Sequence, residues 1–247
     1  MPPKMKKYLL FFAFITLSGW AQKTTIYIIG DSTMANKEAP EQNPERGWGQ
    51  MLPTFFSDNV VIDNRAINGR STRSFIDLKL WDAVYNSLKK GDYVFIQFGH
   101  NDGKVTDPTR YTNSHTSYRH NLIRFVEETR KKGATPILFS SITRRTFNEH
   151  RVLIDSHGDY TQELRLVAQE YKVPFIDMQY YTELLEESYG MEKSKELHLH
   201  FAPGENSYIP KGIDDNTHLS IKGATEIAKI AAQQIKALNI RLSKDVY

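Results

Sequence analysis

A chain of 247 residues with 32 Lys and Arg against 29 Asp and Glu carries a formal charge of +3, and Lys4, Lys6 and Lys7 account for all of it. The neutral remainder lacks the broad basic face through which proteins bind nucleic acid by releasing counterions, and it lacks a polybasic membrane anchor. The absence of cysteine excludes a disulfide framework, a thiolate nucleophile and a thiolate zinc site, so a core of the size expected for one medium α/β domain must carry stability alone.

The three lysines precede an apolar run from Tyr8 to Ile15 and the small residues around Trp20. This order is that of an export signal cleaved after Ala21, which leaves 22–247 as a single domain in the periplasm or outside the cell. The run is shorter than the roughly 20 residues needed to cross a bilayer, so no membrane attachment is expected after cleavage. An uncleaved N-terminal anchor and a buried strand are the competing readings of this segment.

Short runs rich in β-branched and aromatic residues follow at Thr25–Ile29, Val60–Ile62, Tyr93–Phe98, Pro136–Ile142 and Val173–Asp177. Between them apolar residues take helical spacing: Phe75, Leu78, Trp81, Tyr85 and Leu88; Tyr118, Leu122, Phe125 and Thr129; Leu164, Val167, Ala168 and Tyr171; Ala224, Ile227, Ala231, Ile235 and Leu238. Continuous apolar strands alternating with amphipathic helices predict a central parallel sheet covered on both faces, a three-layer α/β sandwich. The least regular stretches, 35–48, 102–116, 143–159 and 189–215, are the expected walls of a site. In such sheets ligands bind beyond the carboxyl ends of the strands, which directs attention to the residues just after each run.

Four polar blocks lie there. Gly30-Asp31-Ser32-Thr33 follows the first strand, Asn68-Gly69-Arg70-Ser71 the second and Gly99-His100-Asn101-Asp102 the third, while Asp215-Asn216-Thr217-His218 precedes the last helix. A serine hydroxyl needs a base before it attacks a carbonyl, and His218 is of the type that accepts and returns a proton near neutrality. Asp215, three residues earlier in a turn, can fold back onto His218 and hold its tautomer. Each block alone also reads as a turn, a helix start or a hinge; their combination supplies the groups that acyl transfer requires.

Other residues carry weaker signals. His198 and His200 alternate as if on one side of a strand, a spacing that suits a metal site or a pocket wall; no third ligand stands nearby, and no metal is expected. His100 is read as packing beside the site, as a substrate-binding residue and not as the base, whereas His115, His120, His150 and His157 sit in polar contexts and are read as solvated. Trp48 and Tyr208 are either flat faces for sugar rings or packing aromatics. Arg70 and Arg73 either meet a carboxylate of a ligand by paired hydrogen bonds or brace the loop after Gly69.

The four blocks resemble the serial motifs of the SGNH (GDSL) hydrolase superfamily. Gly47-Trp48-Gly49-Gln50, the run Arg70–Phe75 and the Pro-Gly-Glu segment at Pro203 are similar to its rhamnogalacturonan acetylesterase-like branch. The resemblance covers nearly all of 25–238, and the Gly-x-Ser-x-Gly elbow of the other large serine-hydrolase fold is absent around Ser32. It implies a flavodoxin-like sandwich with Ser32 as nucleophile and Asp215 and His218 completing a triad. The implied oxyanion hole is the Ser32 N–H, the Gly69 N–H and the Asn101 side chain. The implied substrate is an acetylated polysaccharide or oligosaccharide, and no cofactor is implied. The fungal members of the branch carry disulfides, from which this chain departs. Two other functions share the pattern: the same machinery acting on acetylated xylan, a lipid or a thioester, and a non-catalytic carbohydrate binder that uses the first block to hold an anion.

Overall fold

The computed structural model describes residues 23–38 and 42–247, so the expected export signal at 1–21 lies outside the described residues. Five strands form one parallel sheet: β1 (Thr24–Gly30), β2 (Val60–Asn64), β3 (Tyr93–Gln97), β4 (Thr135–Phe139) and β5 (Phe175–Ile176). Their order is β2-β1-β3-β4-β5. Chain direction across the sheet therefore reverses between β1 and β3, the switch point at which ligands of doubly wound sheets bind.

Strand side chains alternate between the two faces, and both faces are buried. Ile26, Ile28, Phe95, Ile137 and Phe139 pack on Trp48 of α1 (Trp48–Met51) and on Ala224, Ile227, Ala231 and Ile235 of α7 (Ile221–Ala237). Tyr27, Ile29, Val94, Ile96 and Leu138 pack on the other face. Their partners include Trp81 of α3 (Leu80–Ser87), Leu122 and Phe125 of α4 (Arg119–Lys131), and Leu164 and Val167 of α5 (Asp159–Glu170). Burial on both sides is why the central strands read as unbroken apolar runs. The expected sandwich is the observed architecture.

Three features differ from the sequence reading. The periodic stretch from Phe75 to Leu88 is two helices, because Lys79 adopts a left-handed φ of 61° between α2 (Thr72–Asp77) and α3. The stretch 189–215 is not irregular throughout: the end of α6 (Met178–Lys193) and the strand β6 (His198–Phe201) fall within it. Finally, Asp215 and His218 do not stand in a turn before the last helix. They lie on β7 (Ile213–Leu219), which pairs antiparallel with β6.

The hairpin is held against the start of α7. Ser220 caps that helix by accepting the Gly223 N–H at 3.0 Å, and its own N–H donates to the Leu197 carbonyl at 3.0 Å. At Gly223 a Cβ would stand 1.9 Å from the Leu197 carbonyl oxygen, so only glycine permits this approach. Gly223→Ala is expected to cost about 3 kcal/mol, at the upper end for forced overpacking. A lowered urea midpoint with an unchanged m value checks this; an unchanged midpoint would show that the helix start can move away.

Candidate active site

Ser32 leaves β1 in a tight turn in which the Met34 and Ala35 N–H groups donate to the Asp31 carbonyl at 3.2 and 3.0 Å. The Asp31 carboxylate accepts the Thr33 N–H and hydroxyl, both at 2.9 Å. A buried polar chain braces the turn from beneath: the Trp48 indole donates to Gln97 Oε1 at 3.0 Å, and Gln97 Nε2 donates to Thr33 Oγ1 at 2.7 Å. Trp48 is therefore no sugar platform. Its side chain is fully buried and its one polar atom is used inside the core, which corrects that reading in favour of packing.

The hairpin brings His218 to this turn. His218 Nε2 is 3.0 Å from Ser32 Oγ, and His218 Nδ1 is 2.7 Å from Asp215 Oδ2. Asp215 Oδ1 accepts the Thr217 and His218 backbone N–H groups at 2.7 and 3.0 Å. Burial works to raise the Asp215 pKa, but the hydrogen bonds from the His218 side chain and backbone overcome it and hold the carboxyl well below its ordinary range. The hydrogen bond to Asp215 in turn raises the proton affinity of His218 above the usual imidazole value, against the opposing effect of burial.

Opposite the hairpin, Gly69 has a φ of 73°, a left-handed conformation that strains any other L-residue. Among the described residues neither the Ser32 N–H nor the Gly69 N–H has an acceptor. Asn101 donates one Nδ2 proton to the Arg70 carbonyl at 3.0 Å and has a second to offer. These three donors come from separate segments and border one open cleft of about 680 Å³ with Ser32, Asp215 and His218.

Asp102, which sequence reasoning left as a turn residue, joins two of the segments. Its fully buried carboxylate takes the Thr72 N–H at 3.1 Å and the Thr72 and Thr112 hydroxyls at 2.5 and 2.8 Å. Burial pushes its pKa up to about 7, against those hydrogen bonds. Lys37 makes a similar clamp, reaching Asn68 Oδ1 at 2.6 Å and Glu45 at 2.8 Å. Lys37 has no motif around it, and Asp102 closes the third block without a sign there of this role; each role is recognisable only once the loops are folded together.

The remaining expectations divide. His100 does line the cleft, and it is buried. His157 is not solvated, since it packs beside His100 with its Nε2 2.9 Å from His100 Nδ1. His198 and His200 do lie on one strand, but each pairs with a carboxylate at 2.6 Å, Glu186 and Asp214 respectively, and Leu199 between them faces the cleft instead. Among the described residues no cluster of three His, Asp or Glu side chains could hold a metal. Tyr208 is half exposed on the loop after β6 and is not part of the cleft wall. Arg70 and Arg73 border a neighbouring groove of about 620 Å³ whose common wall with the cleft is Arg110. Lys104 and Arg144 of the cleft were not foreseen.

A hydroxyl on a base, a base on an acid and three converging donors can attack an ester carbonyl and hold the resulting oxyanion. Residues 28–225 match the GDSL-like lipase/acylhydrolase family, and the chain belongs to this family of carboxylic ester hydrolases. It is 39% identical over 217 residues to the rhamnogalacturonan acetylesterase RhgT of Bacillus subtilis (strain 168), covering 88% of this chain and 91% of that one. It is 33% identical over 224 residues to the probable rhamnogalacturonan acetylesterase YesY of the same organism, covering 90% and 96%. The crystal structure of Bacillus subtilis YxiM superposes with a TM-score of 0.76 at 26% identity over 89% of this chain, which spans 58% of the YxiM chain.

Because an imidazole removes a serine proton only when neutral, ester hydrolysis should rise with pH through a midpoint above the ordinary histidine value, as His218 is deprotonated. Asp215→Asn removes the group that raises it, so the midpoint should move to lower pH. The same change frees the tautomer, and kcat should fall by about 10⁴-fold. A pH–rate profile of both proteins tests the pair; an unmoved midpoint would show that another group titrates.

Proposed function

We propose that this protein is an exported serine esterase that removes O-acetyl groups from a pectic polysaccharide, most directly rhamnogalacturonan. The observation that carries the reading is the continuous contact from Asp215 through His218 to Ser32 beside three donors with room for an oxyanion. The polysaccharide follows from the names of the two similar Bacillus enzymes. Export follows from the N-terminal pattern of lysines and apolar residues.

In the proposed reaction Ser32 Oγ attacks the acetyl carbonyl while His218 Nε2 takes the hydroxyl proton and Asp215 stabilises the imidazolium. The Ser32 N–H, the Gly69 N–H and the Asn101 amide hold the oxyanion. Collapse of the tetrahedral intermediate breaks the bond to the sugar oxygen, which receives the proton from His218. Water then attacks the acetyl-enzyme carbonyl while His218 takes its proton, and collapse of this second intermediate breaks the bond to Ser32 Oγ, which receives the proton back from His218 as acetate leaves. Removing one oxyanion donor of this kind costs on the order of 3 kcal/mol in the barrier.

The walls of the cleft support a small acyl group on a polar alcohol. Among the described residues Leu199 and Ile213 are its only large apolar side chains; Glu45, Lys104, Arg110 and Arg144 supply charge. A long acyl chain would lack the apolar lining that its burial requires. The neighbouring groove supports an acidic polymer. There Arg73 lies 3.5 Å from Asp77 and Arg110 pairs with Asp107, whereas Arg70 has no carboxylate partner among the described residues. Its guanidinium is placed to meet a uronic carboxylate on a sugar next to the acetylated one.

Two experiments test these steps. A phosphonylating active-site reagent should label the wild-type protein and not Ser32→Ala; equal labelling would end the serine-esterase reading. Arg70→Ala should lower kcat/KM on acetylated rhamnogalacturonan relative to aryl acetate by about tenfold, the value of one charge-assisted contact. The same ratio measured on acetylated xylan, which is neutral, should not fall. A protein that prefers xylan would remove the pectic assignment while leaving the esterase in place.

A further inference from the structure

Two buried histidines stand at the cleft with no part in the proposed reaction. His157 Nε2 lies 2.9 Å from His100 Nδ1, with the rings edge to face at 82°. On its other side His157 Nδ1 is 3.1 Å from Ser156 Oγ, which accepts the Arg144 backbone N–H at 3.4 Å. The Arg144 side chain returns to the same place, donating from Nη2 to the His100 carbonyl at 3.0 Å.

The direction of this chain is set at Ser156. Its hydroxyl carries one proton, and the acceptor within reach is His157 Nδ1. Sending the proton there makes Nδ1 the acceptor and leaves the His157 proton on Nε2, which donates to His100 Nδ1. The His100 proton is then on Nε2. The reverse direction would make Ser156 Oγ accept both the Arg144 N–H and a His157 N–H, and would leave its own proton without an acceptor among the described residues. Neither ring is charged: burial, with the neighbouring His157 and Arg144, pushes His100 far below the ordinary value, and burial together with Arg144 takes His157 down to about 3.

The chain ends on a nitrogen with nowhere to donate. His100 Nε2 is buried and has no hydrogen-bond partner among the described residues, while its ring lines the cleft with Ser32, Gly69, Asn101 and His218. Leaving such a group unpaired is costly, and natural sites seldom keep one without a use. The oxyanion is not that use. It has three lone pairs, and the proposed hole already supplies three donors. The acceptor left on a bound ester is an oxygen of the alcohol.

We propose that His100 is a substrate-binding donor whose Nε2–H bonds a ring or hydroxyl oxygen of the sugar that bears the acetyl group, with His157 as the positioning residue that fixes its tautomer. The inference rests on the esterase reading of Ser32, His218 and Asp215 and adds a determinant of which alcohol the site accepts. A site built to satisfy one buried polar group on its substrate discriminates against alcohols that lack the matching oxygen.

The test compares kcat/KM on an acetylated oligosaccharide with kcat/KM on an aryl acetate, whose alcohol has no sugar oxygen. In His100→Phe the ratio of the two should fall about tenfold, the value of one neutral hydrogen bond, chiefly through KM for the saccharide. His100→Gln, which keeps a side-chain N–H, should recover part of the ratio, and His157→Phe should lower it in the same direction. An unchanged ratio in His100→Phe, with both substrates affected alike, overturns the proposal and makes His100 structural. The wild-type protein gives a second check that needs no variant to fold: nitrogen-15 NMR should show His100 protonated on Nε2 and bare on Nδ1, and the opposite tautomer overturns the proposal. Failure of the wild type to hydrolyse either ester would instead overturn the esterase reading, and this inference with it.

Discussion

Ser32 and His218 are separated by 186 positions, and their hydrogen bond exists only while the β6–β7 hairpin stays seated against the carboxyl end of β1. Backbone bonds stitch the loop before α1 to the end of β7: Arg46 N–H to the Leu219 carbonyl at 3.1 Å and Ile221 N–H to the Pro44 carbonyl at 3.0 Å. Arg145 grips the middle of the strand, with its backbone N–H on the Asn216 carbonyl at 2.9 Å and its guanidinium on the Asn216 side chain at 2.8 Å. Beneath the sheet α7 buries its apolar stripe, and the contact at Gly223 sets how close its first turn comes to Leu197, the residue before β6. The reactive geometry is thus a property of how two parts of the chain dock, more than of either part alone.

The donors opposite the hairpin obey a similar rule. Ser32, Gly69 and Asn101 belong to three loops, and no loop fixes its own position. Buried polar contacts tie each loop to another: Thr33 through Gln97 to Trp48, Asn68 through Lys37 to Glu45, and Asn101 beside Asp102, whose carboxylate caps the start of α2 and holds Thr112. Burying such groups is favourable only when every member finds its partner. The network therefore tolerates few arrangements, which suits a site in which a donor displaced by an ångström loses most of its effect.

What could be read from the sequence follows the same division. The central strands β1, β3 and β4 announced themselves because burial on both faces demands continuous apolar runs, and α4, α5 and α7 because one apolar stripe faces the sheet. Ser32, Gly69 and Asn101 stood just after strands in recognisable blocks, and Asp215 and His218 in a fourth block before the last helix. By contrast α6 buries Met178 together with Gln179, Thr182 and Glu186, so no apolar stripe marks it. In β7 the run Ile213–Leu219 has only Leu219 fully buried and carries two aspartates, so it reads as a turn. Trp48 was left between two readings and His157 was misplaced for a shared reason: an aromatic or imidazole ring has an apolar body and a polar edge, and only the fold shows whether its polar atom meets Gln97 or His100 rather than solvent.

Asp215 and His218 form a unit within β7. Asp215 takes two backbone N–H groups of its own strand on one oxygen and the imidazole of His218 on the other, across three residues. This pair can assemble wherever residues 213–219 fold, and what docking adds is its alignment with a serine made almost two hundred residues earlier. During synthesis from the N-terminus the β1 turn emerges long before His218, so in the proposed reaction the nascent enzyme is inert until the whole five-stranded sheet, which ends at Ile176, has been made. In that reaction ester hydrolysis is a read-out of finished folding, and a chain stopped before residue 218 would carry Ser32 with nothing to activate it.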